Sequence, residues 1–196
     1  MNFLAFEFRY APARNELNKI LTKEKMGKLQ IINCHEFSYF SNHSDLPKSK
    51  WKVQDSRGGS FRGSHSIEHL IDICGLPQRV MGLGRTFVNM RSGLSCDAID
   101  CYSAILDFPS GTIANVSISP VMPQCYRRIE IFGSDGIALL HDERRIYHGS
   151  KDSPLKEIWK SDKIWQENSP QNGDLPLIKR CFQSLYHDIK ASILSG

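Results

Sequence analysis

Apolar positions recur along the chain with two different periods, and the change of period divides it into elements. Residues 112–118 alternate, with Thr112, Ala114, Val116 and Ile118 on one side, the mark of a strand with one covered face. Everything from Arg79 to about Trp159 is strand-like, with FPSGT (108–112) and GSDG (133–136) as turns. Short strands joined by tight turns pair antiparallel. Ile67, Leu70, Ile71 and Cys74 fall instead at i, i+3, i+4 and i+7, the stripe of a helix lying on a core. Gly75 ends that helix and Pro77 follows. Ile178, Phe182, Leu185, Ile189 and Ile193 mark a terminal helix over 176–196.

Residues 3–8 (FLAFEF) read as a short buried strand, and Pro12 opens a helix with Leu17, Ile20 and Leu21 on its apolar side, ending at Gly27. A β-branched and aromatic strand runs from Leu29 to Phe40. Residues 41–57 and 160–174 are polar loops, the first holding Trp51. The expected fold is α+β: an open, mostly antiparallel sheet with helices on one face, forming a single domain over 1–196.

Composition narrows the class. With 196 residues, 40% hydrophobic and 23% charged, the chain has the make-up of an ordinary soluble globular protein. The net charge of +4 is spread out, with no basic tract, so no nucleic-acid partner is expected. No apolar run approaches the roughly 18–20 residues of a membrane span, and MNFLAFEFRY is interrupted by Glu7 and Arg9 too soon for a signal peptide. Six cysteines without a CxxC pair read as reduced core thiols of a cytoplasmic protein.

Candidate chemistry gathers in GGSFRGSHSIEHLIDICG (58–75). His65, Glu68, His69 and Asp72 share helical spacing, so the helix would anchor by one face and present two imidazoles and two carboxylates on the other. His65-x-x-Glu68-His69 also matches a zinc-hydrolase pattern, H-x-x-E-H, although nothing downstream nominates a third ligand. Gly82-Leu-Gly84 opens like a dinucleotide-binding turn, but no helix follows to hold a pyrophosphate. Arg9, between a strand and a helix, either grips an anionic or polyol ligand or covers the core edge with its stem. Trp51 either stacks on a sugar ring or pins its loop. Cys96 and Cys101 have no common metal spacing.

Taken in order, these landmarks resemble the C-terminal domain of the glucose–fructose oxidoreductase/inositol dehydrogenase/MocA (Gfo/Idh/MocA) family. FEFRYAPARNELNKIL resembles its strand-then-helix entry, and MGKLQIINCHEF its first sheet strand. RGGSFRGSHSIEHLIDICGLPQRV resembles its glycine-rich lead-in, G-x-H, helix and G-x-P-x-x-V. AILDFPSGTIANVSIS and YRRIEIFGSDGIALL resemble its later strands, and DIKASILSG its helix end.

The resemblance implies an oxidoreductase that moves a hydride between NAD or NADP and a sugar, polyol or related small molecule. It makes His65 the catalytic histidine beside the reacting hydroxyl, sets Glu68 where the family has an aspartate that orients the helix or a ligand, and puts Arg9 at the border of cofactor and substrate; Trp51 and His69 join Arg9 and Glu68 as candidate substrate contacts. It also implies homo-oligomers through the free face of the sheet. Phe61 stands where the family carries an aspartate, and no strand–GxGxxG–helix unit is present. The expectation is therefore a chain that does not bind NAD(P) alone: a fragment, the product of a split or degraded gene, or a subunit completed by a nucleotide-binding domain in trans, with residues 1–10 as the last strand of the missing domain. The alternatives are a non-catalytic binding or oligomerisation module of the same fold, or the zinc hydrolase.

Overall fold

The computed structural model describes residues 6–39, 63–91, 94–95, 97–161 and 175–194. In chain order these form a 3-10 turn (Glu7–Tyr10), α1 (Pro12–Asn18), α2 (Lys23–Met26), β1 (Leu29–Tyr39) and α3 (Ser64–Cys74). Then come β2 (Arg79–Arg85), β3 (Met90–Arg91), β4 (Leu94–Ser95), β5 (Cys101–Asp107), β6 (Ile113–Ser119) and β7 (Val121–Gly133). β8 (Gly136–His141), β9 (Arg145–Ser150), β10 (Ser153–Lys160) and α4 (Leu175–Leu194) complete the chain. The architecture is the expected α+β open sheet. Two compact units divide it, residues 29–132 and residues 1–28 with 133–196.

In the 29–132 unit the strands lie in the order β7-β1-β6-β5-β2. β2–β5 and β5–β6 pair antiparallel, as hairpin-linked strands should. β1 and β6 pair parallel, in register from Ile31↔Ile113 to Phe37↔Ser119. A parallel pair needs a long crossover, and α3 with β2–β5 supplies it.

Period-two alternation then sorts the two faces. Ile32 and Cys34 of β1, Leu106 of β5, and Ala114, Val116 and Ile118 of β6 are buried on the face that α3 covers. Thr112 is buried too, its hydroxyl donating to the Leu29 carbonyl at 3.1 Å. Ile31, Ile105, Ile113, Met81 and Leu83 stay exposed on the other face. Between them Asn115 Nδ2 donates to Asn33 Oδ1 at 2.9 Å.

The other unit joins β8, β9 and β10 antiparallel and packs α1, α2, the 3-10 turn and α4. Leu17, Met26, Leu140 and Ile146 are fully enclosed there. Tyr10 donates its hydroxyl to Asp188 of α4 at 2.5 Å, and Ala11 packs with Cys181.

Four expectations need correction. Glu7–Tyr10 coils into a 3-10 turn, so the described end of the expected 3–8 segment is not a strand. The helix begun by Pro12 breaks at extended Thr22 and resumes as α2, which Gly27 ends at φ 67°. Cys125 is exposed, unlike buried Cys34 and Cys181, so the thiols are not all core residues.

The fourth concerns α3, whose buried residues are Ser66, Glu68, His69 and Leu70, while Ile67, Ile71 and Cys74 are half-buried, so Leu70 alone of the expected stripe is enclosed. A count of apolar residues misses this because a small hydroxyl with a partner can lie inside.

Candidate functional site

The burial of Ser66 follows from what lies beneath the first turn of α3. Glu36 continues the inward line of Ile32 and Cys34 and is 3% exposed. The Ser66 hydroxyl donates to Glu36 Oε2, and Arg127 Nη2 of β7 donates to Oε1 at 3.3 Å. Each carboxylate oxygen therefore has a donor, which is what makes burial of the anion tolerable.

One cross-strand row carries the site. Glu36 of β1 pairs with Ile118 of β6, which pairs with Tyr102 of β5. Gly63, the residue before α3, rests on that row, so a β-carbon there would overlap Tyr102 Oη and crowd Ile118 Cδ1. Burial pushes the Tyr102 phenol up to about 12, helped by the Glu36 charge and Cys34. At neutral pH it is an uncharged hydroxyl. Cys74 at the far end of α3 is pushed up to about 11 by burial, which leaves it an inert thiol.

Of the sequence-derived candidates, His65, Glu68 and His69 all lie on α3. His65 is half-buried beside Ser66. Glu68 and His69 are buried, and Asp72 is exposed, so the four do not form one presented face. Arg9 is exposed in the 3-10 turn of the other unit. Trp51, Phe61 and Cys96 lie outside the described residues.

Among the described residues no group of three or more His, Cys, Asp or Glu could hold a metal ion, so the hydrolase pattern gains no third ligand there. Gly82 and Gly84 lie within β2, opposite Ala104 and Tyr102, and not in a phosphate-binding turn. No helix among the described residues is long and apolar enough to cross a membrane.

Glu36, Ser66, Tyr102 and Arg127 were missed by the sequence reading. Their signal was available for Glu36: in the strand IINCHEF, period two puts the glutamate on the same face as Ile32 and Cys34. Arg127 carried no such signal, being one of two adjacent arginines in a long strand.

Comparison with known proteins agrees with this geometry. The family model described as GFO/IDH/MocA C-terminal domain matches residues 15–139. A levoglucosan dehydrogenase in complex with NADH superposes with a TM-score of 0.72 at 15% identity, over 82% of this chain and 47% of its own. An NAD-binding oxidoreductase from Klebsiella pneumoniae gives 0.71 at 17% identity, over 82% of this chain and 47% of its own. The UDP-N-acetylglucosamine 3-dehydrogenase GnnA from Acidithiobacillus ferrooxidans gives 0.60 at 17%, over 81% and 46%. At such identities the superpositions show a shared fold. The chain spans about half the length of the solved structures it matches. No curated protein matches the sequence significantly.

Proposed function

Because this chain belongs to the Gfo/Idh/MocA oxidoreductase family, we propose that it is the substrate-binding part of an NAD(P)-dependent enzyme oxidising a sugar, polyol or related small molecule. The observation that carries the reading is the half-buried imidazole of His65, in the first turn of a helix seated on the Glu36–Ile118–Tyr102 row. An imidazole titrates near neutrality, so His65 accepts the proton of a substrate hydroxyl at the carbon being oxidised. Glu68 and His69, buried on the same helix, hold it and through it the ring.

The described residues do not fit a dinucleotide, since the one G-x-G among them is taken up in strand pairing. No step through the cofactor follows from these residues. NAD or NADP is bound by a nucleotide-binding part, on the same or another polypeptide, and its neighbours with bound NADH support that choice of cofactor. The exposed apolar face of the 29–132 sheet joins copies of the chain.

The test is a titration of isotope-labelled chain with levoglucosan, glucose and myo-inositol, followed by turnover with NAD(P) and the nucleotide-binding part. Shifts centred on His65, with turnover falling about 10²- to 10⁴-fold in His65→Gln, are expected. If no sugar or polyol moves any α3 resonance and the completed mixture makes no NAD(P)H, the reading is wrong.

A further inference from the structure

Glu36 sits at an inward strand position that Ile32 and Cys34, on the same line, show to suit an apolar side chain. An anion is costly to bury there, and two groups are arranged to accept it, the Arg127 guanidinium and the Ser66 hydroxyl. Ser66 belongs to the first turn of α3, the positive end of that helix's dipole. His65 is the adjacent residue in the same turn.

We propose that Glu36 is a positioning residue for His65: through Ser66 it fixes the first turn of α3, and through its charge it keeps the His65 imidazole able to hold a proton. This rests on the reading of His65 as the proton acceptor. The helix end and Arg127 both favour a neutral ring, and Glu36 opposes them. Among the described residues, Tyr102 of β5 and Cys34 of β1 also lie beside Glu36, and Glu68, His69 and Asp72 share the helix. Tyr102 stays uncharged until strongly alkaline pH, so among the strands the opposing pair Glu36 and Arg127 decides the field.

The experiment is an NMR titration of the full chain with labelled histidines, His65 being assigned by the signal lost in His65→Gln. Glu36→Gln keeps the shape and removes the charge, and it lowers the His65 midpoint by about half a unit or more. Arg127→Gln leaves the carboxylate uncompensated and raises the midpoint by a similar amount. Opposite signs support the proposal, because a general loosening of the fold moves both variants the same way.

Displacements below about 0.2 unit, or of equal sign, overturn it. Should Glu36→Gln fail to fold, the Arg127→Gln titration alone decides by its direction. No sugar and no nicotinamide enters the measurement, so an inert enzyme assay would sink the oxidoreductase reading and leave this result untouched, and the reverse holds too.

Discussion

At Gly63 there is no room for a β-carbon, although its backbone, at φ −68°, is one any residue adopts. The requirement is steric and comes from Tyr102 and Ile118. Gly63→Ala should therefore destabilise by roughly 1–3 kcal/mol, as overpacked sites do, and adding Tyr102→Ala should recover part of it in urea melts. Gly75 makes the opposite case, for nothing lies within 4 Å of a β-carbon there but its φ is 78°. Gly75→Ala should cost only about 1 kcal/mol, from backbone strain alone.

The ion pair beneath α3 gives a further contrast. Arg127→Met strands a buried carboxylate, a change of roughly 3–5 kcal/mol in fully buried pairs and toward the lower end here because Arg127 is partly exposed. Glu36→Gln should cost less. If denaturant midpoints show the two equal, the carboxylate is not held by that arginine.

Within elements, alternation was the readable signal. β6 was legible because its inward residues Ala114, Val116 and Ile118 are apolar and Thr112, just before it, is bonded to backbone, and the helix ended by Gly75 was legible from its spacing. The burial of Ser66 was not, since periodicity counts apolar residues and cannot see that its hydroxyl is satisfied by Glu36 from a strand distant in sequence. The β8–β9 hairpin was hidden for another reason. Its turn places Asp142 and Glu143 at φ 52° and 54° without a glycine or asparagine. Contact of Glu143 with buried Arg14, 3.9 Å away, accompanies this strained choice.

The same β5–β6 row sets an alkaline limit. The Tyr102 phenol ionises near 10 in the unfolded chain and near 12 when folded, so the folded state binds its proton longer. Stability from this group is whole below pH 10 and is lost as pH rises toward 12. Thermal melts should fall over that window, and Tyr102→Phe should flatten the fall; an identical slope in both proteins counts against the assignment.

For the molecule as a whole, the uncovered face of the 29–132 sheet is the feature with the widest reach. Met81 and Leu83 are 69% and 72% exposed, and Ile105 and Ile113 flank the Asn33–Asn115 bond on the same side. Sedimentation should show an oligomer that Ile105→Asp with Ile113→Asp converts to monomer, with melting of the folded monomer little changed. A native chain that sediments as a monomer at every concentration tried removes this part of the reading.

The chain leaves its first unit after Lys28 and re-enters at Gly133, and at that junction Lys28 and Ser134 exchange hydrogen bonds. The middle of the polypeptide, a cartridge in sequence, thus starts and ends beside two hydrogen-bonded residues of that unit. Excised as 29–132 with its ends joined by a short linker, it should keep the Glu36–Arg127 pair and the seat of α3. Such a circularised cartridge would let the ligand chemistry of His65 be studied, or transplanted into another scaffold, apart from the ends of the chain.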